Sequence, residues 1–465
     1  MAKTRLAVIF GSRSVEHEVS VVTAHQVMAA ADPEKYELVP IYITKRGEWL
    51  AGPGLLEPHY LDPANHPEPS VYVDLAKFDD PARLEGVERV ALAPAPSQRA
   101  LVRLDGGSLS LFRRGAAPLE IDVAFPAVHG THGEDGTLQG LLELADLPYV
   151  GAGVAAAAIG MDKLHMKAAF QAAGLPVVEG RGYTREAYQR NPDRILDEVE
   201  QTLGYPAFVK PAVLGSSIGV ARAANRDDLR FALEVACSYG RRLLVERAVE
   251  PLIEVNCAVL GNDDPIASVC EQPVPTEGVL SFADKYLRGG KEAAGGPNPP
   301  SPPSLEGKGG GGSAGAGAAQ ETHAPATAGG TTGAGAATPG TPPSLRGKGV
   351  GGLGHAGRLI PAPIPDDLTA RIQQLAVAAF RAIDCAGIAR VDFLVQPKTQ
   401  AVYVNEINTM PGSLSFYLWE PSDVPFPALV DRLVALALER HADKQRTTYS
   451  YDTDLLRRST FGGKR

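Results

Sequence analysis

The chain has 465 residues, 44% hydrophobic and 21% charged, the composition of an ordinary globular protein of several domains. Its 45 Lys and Arg against 54 Asp and Glu leave a net charge of −9. That excludes a general nucleic-acid or acidic-membrane binder, which carries a basic surplus. No apolar run approaches the ~20 residues of a membrane span, and Leu6–Phe10 is too short for the apolar core of a secretion signal. Four cysteines without a C-x-x-C pair make neither a disulfide scaffold nor a zinc or redox motif, so buried reduced thiols in a cytoplasmic protein are expected.

In chain order the pattern alternates between strand and helix. Leu6–Phe10 reads as a short buried strand, followed by a helix starting near Ser20, a good N-cap type. Ile121–Val128 is strand-like. Leu138, Leu141, Leu142 and Ala145 then share one helix face. Asp162 is placed to cap a helix running to Ala173, stopped by Gly174 with Pro176 beyond. Ala207–Val209 and Leu243–Val245 read as strands, and Asp366–Asp384 as a helix with Leu368, Ile372, Leu375 and Ala379 on one side. The class is α/β with several subdomains. One segment stands apart. Residues 289–357 hold 22 of the 50 glycines and 9 of the 38 prolines, with no Phe, Tyr, Trp or Ile. Such a stretch cannot bury enough apolar area to offset its ordering entropy, so a disordered insertion is expected. Within it Pro302–Gly309 recurs as Pro342–Gly349 with one change; two copies are too few for a solenoid.

Three constellations carry chemistry. Gly387–Val395 alternates as a strand with Ala389, Val391, Phe393 and Val395 on one face and Arg390 and Asp392 on the other. A second strand-like run from Val402 puts Glu406 and Asn408 on one face. Adjacent strands joined by a short turn would therefore bring Asp392, Glu406 and Asn408 together. Three hard oxygen ligands suit Mg²⁺ beside a nucleotide's phosphates, with a solvated, charged strand face as the alternative. Arg390 beside them is placed to meet developing negative charge, and free N–H groups of the loop Asn408–Ser413 could form an oxyanion site. Secondly, Lys210 ends a strand and leads into a small-residue loop to Gly219, which reads either as a phosphate-closing loop or as a plain hairpin turn. Thirdly, His129 and His132 lie on a Gly-rich turn without the i, i+4 spacing of a helical zinc site, so zinc is not expected there.

Taken together the motifs resemble the D-alanine–D-alanine ligases of the ATP-grasp superfamily. The matching stretches are G-S-R-S-V-E-H-E-V-S (11–20), H-G-T-H-G-E-D-G-T-L-Q-G (129–140), M-D-K (161–163), V-K-P-A-V-L-G-S-S-I-G (209–219), L-V-E-R-A-V (244–249), D-K-Y (284–286), G-I-A-R-V-D (387–392) and N-E-I-N-T-M-P-G (405–412), in family order. The resemblance implies a three-domain ATP-grasp architecture. A Rossmann-like N-terminal α/β substrate domain covers 1–150. A central subdomain covers 151–245, and a C-terminal one covers 246–445, interrupted by 289–357, with a tail over 446–465. ATP would lie between the last two. Lys163 and Lys210 would meet its phosphates, Glu246 and Val249 the adenine, and Glu254 the ribose, with Lys285 on a mobile lid. Asp392, Glu406 and Asn408 would hold two Mg²⁺ or Mn²⁺ ions. Arg390 and the Gly412 N–H would stabilise an oxyanion. Glu18 would receive the first D-alanine's ammonium, in a network with Ser216 and Tyr286.

The activity implied is ligation of two D-alanines for peptidoglycan precursors. The ATP γ-phosphoryl is transferred to one carboxylate, and the amine of a second D-alanine attacks the acyl phosphate. Relatives are commonly homodimers. The insertion begins just after Lys285 and Tyr286, inside the lid, and Tyr417 stands where many relatives place a serine near the second substrate. Tyr286 favours D-alanine over D-lactate by the same likeness. The competing readings are a D-Ala–D-Lac or D-Ala–D-Ser ligase, a catalytically impaired nucleotide binder, and an ATP-grasp carboxylase. The last lacks support around Glu18.

Overall fold

A computed structural model describes residues 2–56, 73, 75–96, 99–104, 119–215, 219–274 and 357–448. The low-complexity insertion, Ser216, Lys285, Tyr286 and the tail beyond 448 lie outside the described residues. Three sheets organise the described chain. The first comprises β1 (Thr4–Gly11), β2 (Tyr36–Ile43), β3 (Trp49–Ala51), β4 (Glu88–Leu92), β5 (Ala100–Arg103), β6 (Leu119–Glu120) and β7 (Val123–Pro126), in the order β6-β5-β4-β3-β2-β1-β7. β7, β1 and β2 are parallel, the Rossmann-like part, while β3 to β6 extend the sheet antiparallel. β1 is apolar on both faces because helices cover both. Leu6, Val8 and Phe10 pack with Val21, Ala24 and Val27 of helix His17–Ala30 and with Leu429, Val430 and Leu433 of helix Phe426–Lys444. Ala7 and Ile9 pack with Leu138 and Leu142 on the other side.

The first helix begins at His17, three residues before Ser20. Ser20 is no cap. Its buried hydroxyl accepts the Gly11 N–H (2.8 Å) and donates to the Ala127 carbonyl (2.6 Å), tying together the chain beyond β1 and β7. A tertiary use of the hydroxyl has overridden the local one. The other expected elements form, with ends shifted by a few residues: helix Thr137–Leu144, helix Lys163–Ala172 and helix Asp366–Ala382. Asp162 caps the second through the Leu164 and His165 N–H groups, and Gly174 past its end has φ +73°, a conformation a side chain resists.

The second sheet holds β8 (Gly180–Thr184), β9 (Ala207–Pro211), β10 (Ala221–Ala223) and β11 (Arg242–Arg247) in the order β10-β9-β11-β8. Ala207 and Val209 face its helices; the alternate residues, Phe208 and Lys210, face away. The third holds β12 (Ile253–Gly261), β13 (Ile266–Pro273), β14 (Arg358–Leu359), β15 (Gly387–Gln396) and β16 (Ala401–Asn408), all antiparallel, in the order β14-β13-β12-β15-β16. One face packs on helix Asp366–Ala382 through Val391, Phe393, Ile372 and Phe380. The core under the first sheet continues into Ala258, Ile388, Met410 and Trp419, so the N-terminal domain and the third sheet share apolar packing. Among the described residues all four cysteines are free and buried, and no helix is long and apolar enough to cross a membrane.

Candidate active site

A cavity of about 260 Å³ lies between the second and third sheets, walled at one end by the motif loops of the first domain. Lys163, Lys210, Glu254, Arg390, Glu406, Asn408 and Gly412 line it. The chain after β9 turns back on itself at the cavity's edge. β9 and β10 pair as a hairpin, and Leu214 and Gly215 in the connection border the cavity. Lys163 donates from Nζ to the Leu214 carbonyl (2.7 Å), so the first lysine braces the loop that follows the strand carrying the second.

The strand pair sets the three expected residues on neighbouring positions. Asp392 lies opposite Glu406, and Arg390 opposite Asn408. A bulge follows, because Phe393 pairs with Val404 and leaves Asn405 extra; Asn405 and Glu406 both reach the cavity as a result. Asp392 is buried and does not line the cavity. Its Oδ1 accepts from Arg390 Nε (2.6 Å), and its Oδ2 accepts from Arg390 Nη2 (2.8 Å) and Asn408 Nδ2 (3.1 Å). Burial opposes the Arg390 charge, but the Asp392 carboxylate outweighs it and holds the guanidinium firmly protonated. Glu406 and Asn408 reach the cavity with side chains that suit a hard divalent cation, while both Asp392 oxygens are engaged by Arg390. Among the described residues no group of three or more His, Cys, Asp or Glu is placed to hold a metal ion.

Glu246 stands behind the cavity wall. Its carboxylate, buried and off the cavity, sits between Lys167 (2.5 Å) and Lys210 (2.6 Å). Burial disfavours its charge, yet the two lysines hold the carboxyl at about 2. Burial lowers the Lys167 ammonium. For Lys210 burial acts the same way, but Glu246 raises it overall. Val249, half-buried in the loop after β11, does not line the cavity either. The apolar wall near Glu254 comes instead from Phe208, Leu252 and Leu394. Tyr417 is buried with its hydroxyl toward Glu271 (3.3 Å) and the Arg358 guanidinium 4.0 Å above its ring.

Glu18 also stands off the cavity. As the second residue of its helix it points outward, half-exposed, to Lys45 (2.6 Å). Glu16, just before the helix, is buried and lines the cavity, close to Gly130 and Gly215. The sequence reading also missed Glu134, which lines the cavity and accepts N–H groups from Gly130 (2.8 Å) and Met410 (3.0 Å). Burial, reinforced by the Glu16 carboxylate, pushes its carboxyl up to about 8. A carboxyl raised on folding contributes stability that is complete below the unfolded value of about 4.5 and is lost as pH rises through about 8. Thermal melts of Glu134→Gln are therefore expected to fall less steeply over that window than parental melts; equal slopes contradict the raised carboxyl.

The family profile described as D-ala D-ala ligase N-terminus matches residues 5–152, and that described as D-ala D-ala ligase C-terminus matches 169–295 and 352–435. The chain belongs to the D-alanine–D-alanine ligase family. The interruption in the second match falls within the Gly-rich insertion. A D-alanine–D-alanine ligase of Geobacillus kaustophilus is 34% identical over 453 residues, covering 97% of this chain and 98% of the relative. One from Chloroherpeton thalassium is 34% identical over 449 residues, 96% of this chain and 99% of the relative. Among solved structures, the Coxiella burnetii D-alanine-D-alanine ligase superposes with a TM-score of 0.65 at 27% identity, covering 96% of this chain and 97% of the other. A D-Ala:D-Ser ligase from Enterococcus faecalis gives 0.65 at 25% identity, covering 94% and 100%. Members of the family use ATP and a divalent metal, and the ATP-grasp fold expected from the motifs is the fold observed.

Proposed function

We propose that the chain joins two D-alanines in an ATP-dependent, ADP-forming reaction for cell-wall precursor synthesis, through an acyl phosphate. The observation that carries this reading is the meeting of Lys163, Lys210, Glu254, Arg390, Glu406 and Asn408 around one cavity, from segments far apart in sequence. A carboxylate is a poor electrophile because its leaving group would be oxide; transfer of the γ-phosphoryl makes it a phosphate. Two anions must meet for that transfer. Lys210, kept charged by Glu246, and Lys163 offset their repulsion. Asp392, Glu406 and Asn408 would hold two Mg²⁺ or Mn²⁺ ions, which supply charge neutralisation at the phosphates. Glu254 takes the ribose, and Phe208, Leu252 and Leu394 offer the base an apolar slot. Arg390 and the Gly412 N–H receive the tetrahedral oxyanion when the second amine attacks. Ser216, Lys285 and Tyr286 keep their family roles in substrate binding and lid closure.

Glu16, rather than Glu18, receives the first D-alanine's ammonium, because it is the buried acid at the cavity wall. Glu16→Gln is expected to lower kcat/KM for D-alanine by about 100-fold or more, as loss of a buried charge partner does. Glu18→Gln, at an exposed pair, should stay within about twofold. The reverse order of effects would return the role to Glu18. We assign 1–150 to the substrate domain, 151–245 to the central subdomain and 246–445 to the C-terminal one. We place the reaction in the cytoplasm and, on family likeness alone, in a homodimer. Mass spectrometry after incubation with ATP, Mg²⁺ and D-alanine tests the assignment: D-alanyl-D-alanine and ADP in equal amounts support it, and ADP without dipeptide contradicts it. Addition of D-lactate or D-serine in competition should leave D-alanyl-D-alanine the main product.

A further inference from the structure

The loop leaving β16 bends in an unusual way. Ser413, Leu414 and Ser415 are consecutive non-glycine residues with φ of 50°, 54° and 48°. L-residues avoid the left-handed region, and runs of it persist only where the surroundings over-determine them. Here the surroundings come from the first domain. The Met410 backbone is gripped on both sides of its Cα: its N–H donates to Glu134 Oε1 (3.0 Å), and its carbonyl lies 2.9 Å from His129 Nδ1. A carbonyl only accepts, so Nδ1 carries the proton. His129 is buried, and burial keeps its ring neutral; Nε2 is therefore an acceptor. Thr23, fully buried on helix His17–Ala30, donates its hydroxyl to Nε2 (2.9 Å). The same hydroxyl oxygen accepts the Ser413 N–H (3.1 Å). Every donor in the chain has one acceptor, and the two grips fall on either side of Gly412.

We propose that Thr23, His129 and Glu134 form a positioning clamp through which the first domain presents the Gly412 N–H to the reacting acyl group. The inference rests on the oxyanion role given to Gly412 above. The clamp residues act through the loop. Their loss misplaces a transition-state donor and leaves the nucleotide's own contacts intact, so its signature is a fall in kcat at constant KM for ATP.

The test uses the full-length enzyme with three variants. Thr23→Val keeps shape and removes the hydroxyl; Thr23→Ser restores it. Gly412→Pro deletes the N–H in question, and the preceding Pro411 already has the extended backbone (φ −67°, ψ 147°) that a following proline requires. Thr23→Val is expected to lower kcat by about 10- to 100-fold with KM for ATP within about twofold, and Thr23→Ser to recover most of it. A folded Thr23→Val with parental kcat, or a Thr23→Ser as impaired as Thr23→Val, overturns the clamp. If Thr23→Val does not fold, Glu134→Gln, which loses one of two accepted N–H groups, takes its place with the same expected kcat loss, and parental kcat there overturns the clamp. Gly412→Pro separates the two claims. If it is inactive while Thr23→Val is parental, the clamp is wrong and the oxyanion role stands. If Gly412→Pro turns over normally, the oxyanion role itself fails.

Discussion

Glu406→Gln is expected to reduce kcat by about 1,000-fold or more, equivalent to about 4 kcal/mol of transition-state stabilisation, while the melting temperature stays near the parental value. The substitution keeps the size of the side chain and removes the charge that faces Asp392 across the strand pair. Glu406 is half-buried at the cavity wall, so folding depends on it little. If it holds a divalent ion against the phosphates, the residual activity of the variant should also demand more Mg²⁺. Steady-state kinetics across an Mg²⁺ titration checks both points. Parental turnover at ordinary Mg²⁺ would remove Glu406 from the metal site, and with it the reading of the neighbouring Asp392 and Asn408.

The second large effect is one of stability. Glu246→Gln should destabilise the protein by about 3–5 kcal/mol, because it strips the shared counter-ion from two buried ammonium groups. Adding Lys167→Met should recover part of the loss, since one of the stranded charges then disappears. Denaturant unfolding of the single and double variants measures this. A role confined to adenine binding makes a different prediction: KM for ATP rises while stability holds. That outcome would show that Lys167 and Lys210 do not need Glu246.

The contrast between these two glutamates shows what could be read before the fold was known. Glu406 was legible because a strand's period-two alternation is local, and the third sheet pairs β15 with β16 as neighbouring strands usually pair. Even the bulge left a trace: the buried residues of β16 fall at Val402, Val404 and Ile407, and the skipped step marks Asn405. Glu246 was not legible in the same way. Its partner Lys167 lies on a helix far upstream, and nothing in either segment announces the other. Glu16 and Glu18 differ only in standing before or inside the first turn of a helix, and the start of that helix was misplaced by reading Ser20 as a cap. Thr23, His129 and Glu134 were hidden for a related reason. Each has an ordinary buried role in its own segment, and their common purpose exists only where the first domain meets the loop after β16.

We propose that this cavity activates a D-alanine carboxylate as an acyl phosphate. The most direct test incubates the enzyme with ATP, Mg²⁺ and D-alanine whose carboxylate carries oxygen-18, and analyses the released phosphate and the dipeptide by mass spectrometry. Transfer of one labelled oxygen into each phosphate, in step with D-alanyl-D-alanine, is the result expected. Unlabelled phosphate, released with or without dipeptide, would contradict it.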